Sequence, residues 1–299
     1  MVHVLCLCLI GSTAAIALLL ARLSREHAGD EALLSVYEHT LKRAKYIDLT
    51  HTLEPDAPVW PGFAQPTFGP AVAGNTWPQF IRKDAPFTYA DQGFVANALT
   101  LPTDQMGTQL DVPGHWDELG ATVSDVPATV ALRPLVVVNI AEKVSGTPGY
   151  AAQPEDVLAW EAVHGQVPQG AVVLFRSDWS RRWEAYKTEG LPPVFPGVSL
   201  EALRLLHRER AILLHGHEPL DTDMTDSLEG EAWLLRNGFM QAEGLANLHL
   251  VPEAGCLVAV GFAKVAGGTS GLARFVAICP PDSEHGETTW SHPGAPLPA

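Results

Sequence analysis

The chain has 299 residues, of which 46% are hydrophobic and 18% charged, so it is long and apolar enough to bury a full core. Its 34 acidic side chains outnumber its 19 basic ones, which gives a formal net charge of −15. Because nucleic-acid binding requires clustered Lys and Arg, this charge disfavours a nucleic-acid partner and favours a small molecule.

A hydrophobic segment opens the chain. Residues 4–21 are apolar or small and uncharged, and Arg22 and Arg25 follow them. Such a run is typical of a secretory signal or a short membrane anchor, so residues 1–29 are predicted to be a leader or an anchor. We expect export or attachment to a membrane. The two arginines leave a cytoplasmic location open, and a wrongly assigned start codon is a third explanation.

Beyond this segment, apolar spacing predicts helices and strands in one domain at 46–282. Helical spacing at 30–45 predicts a linker helix before the domain. Apolar, partly β-branched runs predict strands at 94–101, 135–140, 172–176, 211–215, 257–262 and 275–279. Capping residues, Pro and Gly predict helices at 157–163, 200–208 and 229–237. These elements predict an α/β fold, and the aperiodic tail at 283–299 is predicted to be disordered.

Two cysteines, Cys256 and Cys279, lie on the last two predicted strands. Buried apolar strands commonly carry free cysteines, so we expect buried thiols rather than a disulfide. The sequence contains no CxxC motif, and a thiolate metal site is therefore not indicated.

Polar side chains that can bind a metal or move a proton are concentrated between residues 105 and 116. Gln105, Gln109, Asp111 and His115 would share one face of a strand until Pro113-Gly114 bends the chain. A packed core has no use for such a density of polar groups. We therefore expect these four side chains to converge on one ion or one substrate.

This segment resembles the His-x-Gly-Thr-His-x-Asp-x-Pro-x-His signature of the cyclase family of metal-dependent hydrolases, which includes bacterial kynurenine formamidases and isatin hydrolases. Gly107, Thr108, Asp111, Pro113 and His115 match the signature. The resemblance extends to residues 46–51, 58–62, 173–180 and 264–274. It implies a swivelling β/β/α fold with a barrel-like mixed sheet and peripheral helices, and assembly into a homo-oligomer.

The resemblance also assigns roles to single residues. Asp111 stands where the family has an aspartate that ligates or bridges metal, and its alternative role is a turn-forming Asp. His115 stands at the family's general base, which takes a proton from metal-bound water, and its alternative is a packing or surface histidine. Glu243 matches the family's glutamate ligand, and a buried carboxylate on a strand needs a partner. Glu231 stands where the family has histidine, and its alternative is a solvated glutamate in the first turn of a helix.

The resemblance bears on the choice of metal as well. Gln105, Gln109 and Glu231 stand at positions where the family has histidines, and all three are oxygen donors. Oxygen ligands suit Mn²⁺, Mg²⁺ or Ca²⁺ better than Zn²⁺, so Mn²⁺ or Mg²⁺ is expected, with a metal-free site as the alternative. Without a metal, at least one of the neighbouring carboxylates would hold a proton.

Two other segments contribute candidates. His217 and Glu218 follow a predicted strand and are expected to contact the substrate, which is favoured over metal ligation by His215 and His217. Trp60 is expected to form an apolar wall for the substrate. Gly267 to Gly271 lack the Gly-Lys-Ser/Thr ending of a phosphate loop and predict a tight turn between strands.

The predicted function is hydrolysis of a cyclic or small amide, lactone or formamide by metal-activated water, with His115 as the base. Two alternatives stay open. One is a non-hydrolytic binding protein on the same fold, and the other is a metal-independent lyase or isomerase that uses His115 and the carboxylates.

Overall fold

The structure is a computed structural model that describes residues 32–76 and 80–288. The predicted leader at 1–29 lies outside this range. Within the described residues, no helix combines the length and the apolar character needed to cross a membrane.

Strands and helices alternate along most of the chain. The strands are β1 Lys45–Asp48, β2 Thr67–Pro70, β3 Asn97–Thr100, β4 Gln109–Asp111, β5 Leu132–Asn139, β6 Ala151–Ala152, β7 Val172–Arg176, β8 Gly197–Val198, β9 Leu214–His217, β10 Met240–Glu243, β11 Cys256–Phe262 and β12 Ser270–Cys279. The helices are α1 Ala32–His39, α2 Tyr89–Gln92, α3 Ala141–Gly146, α4 Pro154–His164, α5 Trp183–Glu189, α6 Leu200–Arg204 and α7 Glu229–Arg236.

Seven strands close into a mixed, barrel-like sheet in the order β12, β11, β5, β7, β9, β10 and β4, and β4 pairs back with β12. Strands β5, β7, β9 and β10 are parallel neighbours. The barrel closes because β12 is long: its first residues pair with β4, and its later residues pair with β11. The sheet and its surrounding helices confirm the predicted α/β fold with a barrel-like mixed sheet.

Both faces of the central strands are buried. One face forms a cluster with Leu110, Leu174, Leu214 and Phe275, to which all the barrel strands contribute. The other face packs Val173 and neighbouring side chains against helices α4, α6 and α7. Because successive strand residues point to opposite faces, runs that are buried on both sides must be apolar throughout, as the sequence shows.

The predicted elements are present with shifted ends. The strand at 172–176 has the predicted bounds, and the helix at 200–208 continues beyond α6 as a π-helical turn, Leu205–Glu209. The predicted linker helix at 30–45 is shorter, because α1 ends at His39 and β1 already begins at Lys45. The strand predicted at 94–101 shortens to β3, which pairs with β2 outside the barrel.

Cys256 and Cys279 form a disulfide, so the expectation of buried free thiols is wrong. Strands β11 and β12 are antiparallel, and Leu257 pairs with Ile278. This register places the two cysteines opposite each other, with their Cα atoms 4.3 Å apart. The sequence located both cysteines on strands but did not reveal the register that joins them.

The start of the predicted tail is ordered. Glu287 forms a β-bridge with Tyr46, with backbone hydrogen bonds of 2.8 and 2.9 Å. This pairing extends the domain past the predicted boundary at 282, because the chain returns to the edge strand β1. Residues 289–299 lie outside the described range.

Candidate active site

Three buried carboxylates, Asp111, Glu231 and Glu243, meet on one side of the barrel. Each offers an oxygen atom, and these atoms all lie within 4.8 Å of one another. Asp111 ends β4, Glu243 ends β10 and Glu231 lies in the first turn of α7. The structure therefore brings together the three carboxylates among the five predicted metal ligands.

The pairing of β4 with β10 sets the position of two of these carboxylates. Asp111 pairs with Gln241, and Glu243 pairs with Gln109. The residues between them, Leu110 and Ala242, point into the barrel core. By the period of two, the four polar side chains must then lie on the opposite face, where α7 covers them.

Helix α7 supplies the third carboxylate. The Oδ2 atom of Asp223 accepts hydrogen bonds from the backbone N–H groups of Gly230 (2.8 Å) and Glu231 (3.3 Å) and so fixes the start of the helix. Trp116 Nε1 donates to Glu231 Oε1 at 3.0 Å. Glu231 is buried, which excludes its alternative as a solvated glutamate of the first turn.

Two glutamine amides hold the carboxylates of β4 and β10. Gln109 Nε2 donates to Glu243 Oε2 at 3.0 Å and to Asp111 Oδ1 at 3.3 Å. Gln241 Nε2 donates to Glu243 Oε1 at 3.0 Å and to Asp111 Oδ2 at 3.2 Å, while its Oε1 accepts from the Thr222 hydroxyl at 2.6 Å. The sequence analysis missed Gln241, although its position two residues before Glu243 on a predicted strand places both on one face.

Burial makes the negative charge of this group costly. Burial, and then the charge of Glu231, raises the pKa of Asp111 to about 6. Burial, and then the charges of Asp111 and Glu231, raises the pKa of Glu243 well above its ordinary value. These directions agree with the expectation that the carboxylates retain a proton when no cation accompanies them.

His115 lies beside the carboxylates, at the end of the 3₁₀ turn Pro113–His115. Its Nε2 atom is 3.5 Å from Glu231 Oε1. Burial lowers its pKa, but the hydrogen bond to Glu231 and the charges of Asp111 and Glu231 outweigh this effect, so the pKa of His115 is raised. The imidazole is thus poised to accept a proton and to keep it near the carboxylates.

Gln105 is not brought to the carboxylates. Its Nε2 atom lies 2.9 Å from Nδ1 and 2.8 Å from Nε2 of the His115 ring. Gln105 does not share a strand face with the other residues, because β4 begins only at Gln109. Gly107, with φ +59°, turns the chain before the strand. Gln105 therefore contacts the predicted base instead of the predicted metal ligands.

A cavity of about 210 Å³ opens next to these residues. It is lined by Trp60, Phe63, Gln105, Gln109, His115, Trp116, Leu220, Asp221, Leu228, Glu231 and Glu243. Trp60 thus lies where the sequence analysis expects a substrate wall. Its Nε1 donates to Asp221 Oδ2 at 2.7 Å.

Asp221 is a second residue that the sequence analysis missed. Burial is the largest cause that raises the pKa of Asp221, and the charge of Glu231 adds to it, so the pKa rises to about 7. Asp221 follows the His215 to Leu220 segment in a loop, where no periodicity indicates the direction of a side chain. Only the folded chain shows that it faces the cavity.

His217 and Glu218 do not line the cavity. All four hydrogen bonds of Glu218 go to Ser177, Trp179 and Ser180, so this buried carboxylate holds a loop. His217 Nε2 is 2.9 Å from the Thr222 hydroxyl and 3.7 Å from Glu243 Oε1. Both side chains are buried, and their hydrogen bonds go to neighbouring protein groups.

A sequence model described as putative cyclase matches residues 47–224, which is more than half of the chain. The chain belongs to the cyclase family. An isatin hydrolase from Roseibium aggregatum is 26% identical over 248 residues, which cover 78% of this chain and 91% of the relative. A kynurenine formamidase from Maricaulis maris is 33% identical over 122 residues, 41% of this chain and 48% of that protein.

Solved structures of the same family are similar to this chain. Isatin hydrolase A from Labrenzia aggregata, bound to benzyl benzoate, is 25% identical and superposes with a TM-score of 0.69 over 85% of this chain and 99% of its own. The relatives of this cyclase-family chain are hydrolases by name, and the chain is an enzyme of this family.

The carboxylates of this cyclase-family site fit a divalent cation. Their ligand atoms lie close enough for one ion, they are buried, and the ion pairs they form among the described residues are with His115 and His217. Three carboxylate oxygens are a donor set for a hard cation. Gln109 directs its amide nitrogen at the carboxylates, so it holds the ligands in this arrangement.

Proposed function

We propose that the chain hydrolyses a cyclic or small amide, a formamide or a lactone. The observation that carries this proposal is the group of Asp111, Glu231 and Glu243 with His115 beside it, at one wall of an aromatic cavity. The isatin hydrolase and kynurenine formamidase relatives support the class of bond.

Asp111, Glu231 and Glu243 would hold the divalent cation. Because all three ligands are oxygen atoms, Mn²⁺ or Mg²⁺ is the expected ion. When bound, such an ion supplies a Lewis acid for the carbonyl and lowers the pKa of water. Gln109 and Gln241 keep the two strand carboxylates in place, as their hydrogen bonds show.

His115 takes the proton of the attacking water and returns it to the leaving group. Its ring lines the cavity, and Glu231 lies 3.5 Å from Nε2, where a carboxylate stabilises the imidazolium that forms. Gln105 orients the same ring through its amide. Trp60, Phe63 and Trp116 give the cavity apolar walls that suit a planar substrate and exclude water.

The test is hydrolysis by the purified full chain with Mn²⁺, using isatin, formanilide and dihydrocoumarin as a cyclic amide, a formamide and a lactone. His115→Asn removes the proton acceptor and is expected to lower kcat roughly 10²- to 10⁴-fold. His164→Asn, which changes a histidine on helix α4 away from the cavity, serves as the matched control and should leave kcat unchanged. Wild-type turnover of none of the three substrates, or full activity of His115→Asn, would contradict the proposal.

One observation favours the metal-independent alternative. The raised pKa of Asp111, about 6, leaves a carboxyl group near His115 that could exchange a proton at neutral pH. The same assay in the presence of a chelator tests the need for metal, because loss of hydrolysis supports the metal-dependent reaction. A metal-independent lyase or isomerase would instead hydrolyse none of the three substrates, with or without the chelator.

A further inference from the structure

An apolar groove of about 310 Å³ lies next to the carboxylate cavity, with Trp60 in the lining of both. The two spaces share Trp60, Leu220 and Asp221 as a common wall. A molecule that enters the cavity past Trp60 therefore passes the groove directly. We call this groove the Trp60 annex.

The common wall is held in place. Trp60 is 38% exposed, yet its indole nitrogen is fixed by the 2.7 Å hydrogen bond to Asp221. Phe63 packs against the same indole, with 5.4 Å between the ring centroids. Trp60 thus lines both spaces without a change of conformation.

The annex is rigid and apolar. Four of its lining residues are prolines, Pro61, Pro192, Pro193 and Pro219, whose φ angles are fixed before any ligand arrives. A preformed surface avoids the ordering cost of binding. Asp221 is the charged lining residue, and its carboxylate is engaged by Trp60.

The back of the annex is a hydrophobic cluster. Trp179 and Leu220 are buried there, and the lining residues Leu191 and Phe195 pack against them. This support explains how a surface groove can remain open. An aromatic ring placed in it would exchange water for a wall of aromatic and aliphatic carbon.

Size points to a ligand that uses both spaces. The carboxylate cavity alone, about 210 Å³, is smaller than the ~300 Å³ at which small-molecule pockets begin. Joined to the annex it reaches that range. A small ring would fill the cavity, whereas a molecule with two apolar parts would fill both.

We propose that the Trp60 annex binds an uncharged aromatic arm of the substrate, while the amide, formamide or lactone group lies in the carboxylate cavity. This proposal deepens the proposed function and rests on it, because the ligand is a substrate only if the chain hydrolyses it. The shared wall favours an arm of the same molecule over a separate partner, because one ligand that extends from the cavity into the annex contacts Trp60 and Leu220 in both spaces.

Binding of two amines tests the annex independently of turnover. Aniline and 4-benzylaniline are the amines that hydrolysis of formanilide and its 4-benzyl derivative would release, and neither can be hydrolysed. Isothermal titration of the full chain should show 4-benzylaniline binding about tenfold to a hundredfold more tightly than aniline, because a further ring is buried.

Two variants of the annex should remove this preference. Leu191→Asp places a charge on its wall, and Pro193→Glu does so at an exposed position where folding is not at risk. In both, the ratio of the two dissociation constants should fall to within about threefold of one. Val163→Asp, at an exposed apolar position on helix α4, is the matched control and should retain the wild-type ratio.

Equal affinity for both amines in the wild type, or an unchanged ratio in Pro193→Glu, overturns the proposal. If a second copy of the chain occupies the annex instead, the affinities will be equal and the sedimentation coefficient will rise with protein concentration, which also overturns it. If the preference is present and isatin, dihydrocoumarin and both formanilides are all left unhydrolysed, the annex stands and the proposed hydrolysis fails. If both formanilides are hydrolysed with equal kcat/KM and the two amines bind with equal affinity, the proposed hydrolysis stands and the annex proposal fails.

Discussion

Two buried histidines meet where the turn that follows helix α6 packs on the barrel: His207 belongs to that turn and His215 to strand β9. His207 Nε2 is 3.3 Å from His215 Nδ1, and the other nitrogen of each ring has no hydrogen-bond partner within the described chain. Burial lowers the pKa of His207 to about 3. Burial, and then the neighbouring His207 and His217, lowers the pKa of His215 well below its ordinary value. Both rings are therefore neutral in the folded protein at neutral pH.

The pair predicts that acid destabilises the fold. A histidine with a lowered folded pKa contributes stability that is present above its unfolded pKa, near 6.5, and is lost as the pH falls from there towards the folded value. His207→Phe removes one such group and keeps the ring that packs on Phe239. Between pH 7 and pH 5, urea unfolding should show the wild type losing about 2 kcal/mol more than His207→Phe.

Equal losses in the two proteins would mean that folding does not lower the pKa of His207. His39→Phe, at an exposed histidine of helix α1, is the control and should follow the wild type.

At the scale of single residues, a motif or the period of two in a strand can predict which side chains lie together. Asp111, Glu243 and His115 lie where the motif resemblance and the period of two place them. Gln105 departs from the expectation because a glycine turn, not a strand, connects it to Gln109. Asp221 was missed because a loop residue has no periodicity, and its direction depends on contacts with Trp60 that are distant in sequence.

At the scale of elements, the hairpin of β11 and β12 is where sequence and structure differ most. The sequence located both strands, and Gly267, with φ +70°, confirms the predicted turn between them. It did not reveal that β12 is long enough to pair with β4, β11 and β1 and so close the barrel. Local apolar patterns fix the type of an element, whereas closure and the disulfide depend on register between strands.

The disulfide predicts a measurable contribution to stability. Its cysteines are 23 residues apart, and closing a loop of that length stabilises the folded state by about 3 kcal/mol. Cys256→Ala with Cys279→Ala should lower the free energy of unfolding by this amount. A reductant should destabilise the wild type in urea and leave the double variant unchanged. In the denatured, unreduced chain, thiol titration should detect no more than two of the four cysteines, and four reactive thiols would contradict the pairing.

At the scale of the whole molecule, a disulfide fits a protein that folds in an oxidising compartment. Export through the leader at 1–29 stays a prediction. Assembly into a homo-oligomer also stays a prediction, and the ribbon of β2 and β3 gives it a candidate surface. Val72, Tyr89 and Leu99 are exposed apolar side chains on or beside this ribbon, and a two-stranded ribbon is marginally stable unless it packs against something else.

Four acidic side chains lie together at the candidate active site. Asp111, Glu231 and Glu243 are buried together, with Asp221 beside them in the same cavity wall. Such a group is stable when a cation neutralises it, or when protons do so. The proposed hydrolysis requires the cation.

The most direct measurement is divalent-metal binding by the full chain, by elemental analysis after purification and by Mn²⁺ titration of chelator-treated protein. We predict one Mn²⁺ or Mg²⁺ per chain and at least a roughly hundredfold loss of Mn²⁺ affinity in Asp111→Asn, because each buried charge-assisted ligand contributes several kcal/mol. Asp226→Asn, which removes an exposed carboxylate, should bind Mn²⁺ like the wild type. Absence of saturable Mn²⁺ binding, a tightly held zinc ion, or wild-type affinity in Asp111→Asn would contradict the assignment of these three carboxylates as the metal centre.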